Sequence, residues 1–320
     1  MEGLTNIWVA DGHCDSLGDL TAGKRDLISS EGFGHWDLEK AKQARIRLQF
    51  FAAYIESEYK PYSAMRRGLE HLEKALKFID QNSAQVFLVK TCQDLKTIEV
   101  TDRLGLVLNI EGGEILGTDL FMVDLIYRLG VRSIGLTWNE RNAIADGVGE
   151  SLSRGGLSNF GFQVIKRMNE LGIMIDVSHL NEAGFWDVIN HTTQPIIASH
   201  SCARTLCDHP RNLNDQQLKA LAENQGVIGV NFCQDFLSPD GQASIDDVVK
   251  HICYIAETAG VDNVAFGSDF DGISEPPRGL EDASKFPDLV EKLFEVGFST
   301  EEIKKISHGN FLRVLNTVLH

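Results

Sequence analysis

Short apolar runs alternate almost throughout the chain with segments that place an apolar residue every three to four positions. The runs lie near 7–13, 47–55, 104–111, 132–138, 173–178, 195–200, 227–232 and 264–269, and read as strands. Helical patterns lie between them near 63–82, 120–129, 159–171, 183–191, 215–225 and 245–259, with two more near 287–296 and 300–318. Gly130, Gly172, Gly226, Gly260 and Gly297 each stand where a helix should stop, since glycine tolerates the positive φ common there. Ser299 or Thr300 can cap the last helix, with Glu302 in its first turn. Repeated strand–helix units with parallel strands require right-handed crossovers and put the helices outside. Eight such strands predict an α/β fold, a (β/α)8 barrel of the TIM type. A ninth run, Gln85–Lys90, is either an extra edge element or a miscount. The 14–45 stretch reads as a long loop over the barrel mouth. No repeat, low-complexity segment or linker interrupts the chain, so 1–320 is expected to be a single barrel domain.

Composition narrows the function. With 320 residues, 43% of them hydrophobic, the chain has ample material for a core. Its 46 acidic against 30 basic residues leave a formal charge of -16, which disfavours nucleic acid and anionic membrane surfaces as partners. No run approaches the roughly 18–20 apolar residues that span a bilayer. The segment Met1–Asn6 has no basic stretch and enters a strand pattern at once, so no cleaved signal peptide is expected. The six cysteines include no CxxC pair, which argues against a structural cysteine–zinc site, and they are too few for a disulfide framework. These features predict a cytoplasmic protein.

A closed parallel barrel gathers the C-terminal ends of its strands on one face, where such barrels keep their chemistry. Five potential metal ligands stand just past, or at the end of, the apolar runs: His13 and Asp15, Glu111, His179 and His200. His13 and Asp15 are two apart, and in an extended strand end that spacing turns both to one side. Alone, such a pair also fits a hydrogen-bonded histidine at a capped strand end. Glu111 ends a nearly all-apolar run and precedes Gly112-Gly113, which allow a close approach and a sharp turn. A carboxylate bridging two ions would satisfy its charge; a loop glutamate in water is the plainer reading. Three histidines and two carboxylates converging in this way read as a two-metal hydrolase centre, with mixed N/O ligation favouring zinc. Asp269 and Asp271, two apart at the end of the last run, could be ligands, or one could be a proton shuttle to the leaving amine; the shuttle is assigned to Asp269, closest to the strand, while Asp271-Gly272 resembles turn chemistry. Arg211 lies on the loop after the His200 run and fits capture of a substrate carboxylate, or a surface ion pair. Trp138 fits a pocket wall or plain packing. His35 and His209, in loops near the site, are the remaining histidines to watch.

Taken together, Asp11-Gly12-His13-Cys14-Asp15, Glu111-Gly112-Gly113, Leu136-Thr137-Trp138-Asn139, Asp176-Val177-Ser178-His179, Ala198-Ser199-His200-Ser201, Arg211-Asn212 and Gly267-Ser268-Asp269-Phe270-Asp271-Gly272 resemble the membrane (renal) dipeptidases of the amidohydrolase-like barrels. The likeness runs from about residue 7 to 315, and the chain resembles the soluble bacterial members. It implies two Zn2+ per chain, with His13, Asp15 and Glu111 on one ion and Glu111, His179 and His200 on the other. It also implies that Glu111 and Asp269 serve catalysis, that Arg211 binds the substrate's C-terminal carboxylate, and that dipeptides with a C-terminal D-residue are accepted. The family often has histidine where this chain has Trp138; that histidine helps polarise the substrate carbonyl. Asn139, another loop histidine or the metal itself is the alternative source of that help, and Trp138 and Asn139 join the expected substrate-binding set. A homodimer is common in the family, although nothing in the chain marks an interface. The competing expectations are another amidohydrolase activity, on an N-acyl amino acid, a lactam or a lactone, and a non-catalytic metal-stabilised binding barrel.

Overall fold

In a computed structural model, which describes residues 7–29 and 33–320, nine strands form one parallel sheet. They are β1 (Val9–Cys14), β2 (Ile46–Tyr54), β3 (Val86–Leu88), β4 (Leu104–Glu111), β5 (Val131–Gly135), β6 (Met174–Asp176), β7 (Ile197–Ser201), β8 (Val227–Val230) and β9 (Val264–Phe266). Eight of them close into a barrel. β1 pairs with β9 at Asp11–Phe266, and β2 pairs with β4 from Leu48–Gly105 to Tyr54–Glu111. The closed eight-strand barrel expected from the alternation is therefore present. β3 stands outside the ring. β4 is longer than β5, which pairs only with Leu108–Glu111; β3 pairs with Leu104, Gly105 and Leu106 below. The ninth run is thus an edge element that covers backbone groups β5 is too short to reach.

The helices bury one stripe each. In Ala64–Gln81, Ala64, Gly68, Leu72, Ala75 and Ile79 are buried at spacings of three and four, the rule for a helix lying on a sheet. Four elements differ from the sequence reading. The 14–45 stretch is not all loop, since it holds the helices Ser16–Thr21 and Leu38–Gln43. The buried Asp271 carboxylate anchors it, accepting from Ser16, from Arg25 and, at 2.6 Å, from the His35 N–H. A helix at Cys92–Val100 was not expected. It is short and mostly polar, but a reciprocal Thr91–Asp94 capping box starts it, and Leu95 and Ile98 bury its inner face. The expected helix over 300–318 is broken into Thr300–Lys304, a π turn at Lys305–Gly309 and Asn310–Val318. Finally, Gln225 rather than Gly226 takes the left-handed conformation (φ 62°) after the helix Asp215–Glu223. Gly226 is needed for space, because a Cβ there would lie 2.4 Å from the Ile196 carbonyl oxygen.

The last helix lies against the N-terminal ends of β8 and β9. Asn310 donates to the Val261 and Val264 carbonyls, each at 2.8 Å, and Arg313 to those of Gln225 and Asp262. Phe311 packs against Phe50 with ring centroids 5.1 Å apart and reaches Gly12, where a Cβ would stand 2.5 Å from its ring. This end of the barrel is apolar and filled, which leaves the opposite mouth for polar chemistry. Among the described residues no helix is long and apolar enough to cross a membrane.

Candidate metal centre

At that mouth the strand-end residues meet. His13 lies in β1 with Asp15 just after it, Glu111 closes β4, and His200 lies in β7. His179 and Asp269 each follow a strand end by three residues, and both adopt the left-handed backbone, at φ 68° and 62°. That conformation costs a non-glycine residue about 1–2 kcal/mol. It turns both side chains sharply out of the strand direction toward the same centre. Gly112, at φ 89°, makes the turn after Glu111, and a Cβ there would collide with the Glu114 carboxylate.

Glu111 sits between two groups of nitrogens. Its Oε2 is 3.2 Å from His13 Nε2, while its Oε1 is 3.0 Å from His179 Nε2 and 3.6 Å from His200 Nε2. His13 Nε2 is also 3.3 Å from Asp15 Oδ2, and His179 Nε2 is 2.9 Å from His200 Nε2. Tetrahedral ligands at zinc distances stand about 3.3 Å apart. These separations therefore suit ligands that converge on a metal ion.

Proton positions point the same way. Ser199 Oγ donates to the Asp176 carboxylate, so it accepts from His200 Nδ1 at 2.8 Å. His179 Nδ1 donates to Asn139 Oδ1, also at 2.8 Å. Both rings therefore turn a bare Nε2 toward the Glu111 oxygen. Burial, aided by the Arg211 charge, pushes His179 down to about 3, and burial with the neighbouring His13 and Arg211 charges holds His200 well below the usual histidine range. Two neutral nitrogens and a carboxylate oxygen facing one another, with no proton among them, repel unless a cation lies between. His13 Nδ1 and Asp15 Oδ1 are buried and lack hydrogen-bond partners, a costly state. For His13, burial acts to remove the proton, but Glu111 and Asp15 outweigh it and hold the ring well above its usual range. Asp15 is held up by burial and by the Glu111 charge, and Glu111 is held down, against burial, by His13 and His179. Among the described residues, Glu111 with His179 and His200, His13 with Asp15 and Asp269, and His13 with Asp176 and His200 each converge closely enough to hold an ion, so the donor set fits a metal centre.

The other expected residues lie around it. Asp269 Oδ2 accepts from Asn231 Nδ2 at 2.9 Å, and burial raises its acid above the usual range, with Glu111 adding to the effect. Gly272 lets the following turn pass beside it; a Cβ there would stand 2.1 Å from Asp15 Oδ2 and 2.5 Å from Asp269 Oδ1. Arg211 is buried, donates to the His200 carbonyl at 3.0 Å, and keeps an Nε with no acceptor. Both residues line a cleft of about 540 Å³ together with Trp138, Tyr54 and Phe236. The Trp138 ring is 5.3 Å from that of Tyr54, and Lys60 Nζ stands 5.0 Å from its centroid. Asn139 lines the cleft as well, with its amide oxygen engaged by His179. His35 and His209 stay outside the centre. His35 Nδ1 accepts the Asp271 N–H and His209 Nδ1 accepts the Arg211 N–H, so each braces a loop. Sequence reasoning did not single out Asp176, Ser199 and Asn231, which hold site residues from behind. Their one visible signal is that each is a polar residue in or just past an apolar strand run.

A family model described as membrane dipeptidase, Peptidase family M19, matches residues 3–320. A protein named as an uncharacterised dipeptidase of Schizosaccharomyces pombe is 36% identical over 297 residues, covering 88% of this chain and 71% of that one. The dipeptidase aclJ of Aspergillus oryzae is 31% identical, covering 99% of this chain and 79% of its own length. Among solved structures, a metallopeptidase from Rhodobacter sphaeroides, liganded with a phosphinate mimic of the dipeptide L-Ala-D-Ala, superposes with a TM-score of 0.91 at 28% identity. That match covers 98% of this chain and 99% of the other.

Proposed function

The chain belongs to the membrane dipeptidase family, Peptidase family M19, and on that premise we propose that it is a zinc-dependent dipeptidase with two ions per chain. The observation that carries this reading is the division of Glu111 between His13 on one side and His179 with His200 on the other. His13, Asp15 and Glu111 would hold one ion, and Glu111, His179 and His200 the other. Bound zinc supplies Lewis acidity and a hydroxide nucleophile at neutral pH.

The protein's own groups do the rest. Arg211, whose Nε has no protein acceptor, binds the free carboxylate of the substrate. The hydrogen bond to the His200 carbonyl ties Arg211 to the centre, so the scissile bond must lie one residue from that carboxylate. A longer peptide would place its carboxylate too far away. Asp269 carries the proton to the leaving amine. Asn231 occupies its Oδ2, which leaves Oδ1 for the transfer, and burial raises its affinity for the proton it must carry. Trp138 and Tyr54 form an apolar wall that orients the substrate and keeps water out. Recognition through backbone ends tolerates varied side chains, and the L-Ala-D-Ala mimic in the Rhodobacter sphaeroides relative supports acceptance of a C-terminal D-residue.

A substrate panel tests this reading. The zinc-loaded protein should cleave L-L and L-D dipeptides and leave tripeptides and N-acyl amino acids largely intact. Turnover of N-acyl amino acids, lactams or lactones without dipeptide cleavage would contradict it.

A further inference from the structure

Behind His200, away from the cleft, lies a fully buried carboxylate with every oxygen engaged. Asp176 Oδ1 accepts two backbone N–H groups, those of Ser178 and Ser199, each at 3.0 Å. Its Oδ2 accepts the Ser199 hydroxyl, and the same hydroxyl oxygen lies 2.8 Å from His200 Nδ1. Asp176 and Ser199 are 1% and 0% exposed, so water does not interrupt the chain. Asp176 also stands near the His13 and His200 nitrogens. With its oxygens already occupied, it is placed to act on the ring rather than on an ion.

We propose that Asp176 and Ser199 form a proton-directing relay that fixes His200 in the tautomer presenting a bare Nε2 to the metal centre. Ser199 Oγ donates to Asp176 Oδ2, so the Ser199 proton points to Asp176. The serine oxygen then has only lone pairs for the ring, so the imidazole proton must sit on Nδ1. Nε2 is left bare on the side of Glu111. Both residues are positioning residues, since neither touches substrate or ion. The inference rests on the metal-centre reading above.

The arrangement makes an isosteric change more damaging than a deletion. In Asp176→Asn the amide oxygen must stay where two N–H groups converge, so the NH2 group faces Ser199 Oγ. Ser199 becomes an acceptor there, and its own proton turns to His200 Nδ1. The nearest other acceptor is Ser178 Oγ at 3.4 Å, longer than a normal O–H···O bond. The ring proton is forced to Nε2, the ligand position. Ser199→Ala merely leaves Nδ1 without a partner. The double variant lacks the hydroxyl that reverses the relay.

Zinc affinity of the full chain, read by competition with a chelating dye, tests this directly. Loss of an outer partner lowers metal affinity on the order of 10–100-fold. Ser199→Ala should fall near the low end and Asp176→Asn at or beyond the high end, with the double variant back at the Ser199→Ala level. Nitrogen shifts of the His200 imidazole in zinc-free protein should report Nδ1–H in the parent and Nε2–H in Asp176→Asn. A purely structural role predicts a double variant at least as weak as Asp176→Asn, and that result, or Asp176→Asn binding zinc like the parent, overturns the relay. A parent chain that binds no zinc overturns the metal-centre reading instead.

Discussion

Asp269 and Arg211 line one cleft, and single substitutions should separate the roles proposed for them. Asp269→Asn preserves shape and the Asn231 contact through the amide oxygen but cannot accept a proton. Its kcat should fall by about 10²–10⁴-fold with bound zinc unchanged. Loss of zinc in that variant would make Asp269 a ligand. Arg211→Met keeps the packing against Phe236 but removes the carboxylate partner. KM for dipeptides should rise by about tenfold or more, corresponding to one charge-assisted hydrogen bond of roughly 1.5–3 kcal/mol. An unchanged KM would count against carboxylate capture. The proposed ligands were legible because a barrel places any polar residue past a strand at one mouth, whatever its sequence distance from the others. Asp176, Ser199 and Asn231 were not legible in that way. Their roles come from contacts between neighbouring strands: Ser199 on β7 reaches Asp176 on β6, and Asn231 after β8 reaches Asp269 after β9. Register at that precision is not written in apolar periodicity.

At the scale of elements, the barrel and its order followed from the alternation, while interruptions of regular structure did not. The π turn at Lys305–Gly309 is one of these. It sets His308 against Trp8, the rings stacked with centroids 4.1 Å apart, and His308 Nδ1 donates to the Trp8 carbonyl at 2.9 Å. Residue 8 and residue 308 are remote in sequence, so neither local pattern announces the contact. Burial pushes His308 down to about 4 from 6.5. The folded value lies below the unfolded one, so the unfolded chain takes up the proton first. Stability from this group is full above about pH 6.5 and is lost as pH falls toward 4, by up to about 3 kcal/mol. His308→Gln retains a donor but does not titrate. Urea unfolding at pH 7 and pH 5 should show a smaller drop for that variant than for the parent; equal drops would refute the assignment.

Over the whole molecule, apolar side chains fill one end of the barrel and the other carries the proposed metal centre. The C-terminal helix contributes the filling, with Phe311 fully buried against Phe50 and Gly12. Phe311→Ala should cost about 3–5 kcal/mol of stability by denaturant unfolding, while the folded fraction keeps its KM. A large KM change would mean that the two ends are coupled. The proposed metal centre lies at the other end, and a zinc titration reaches it. Chelator-stripped protein is reloaded with zinc while bound metal and L-L and L-D dipeptide hydrolysis are followed together. The account predicts no hydrolysis before zinc, and activity that reaches its plateau at two ions per chain. Full activity in the stripped protein, or two bound ions with no dipeptide cleavage, would contradict it.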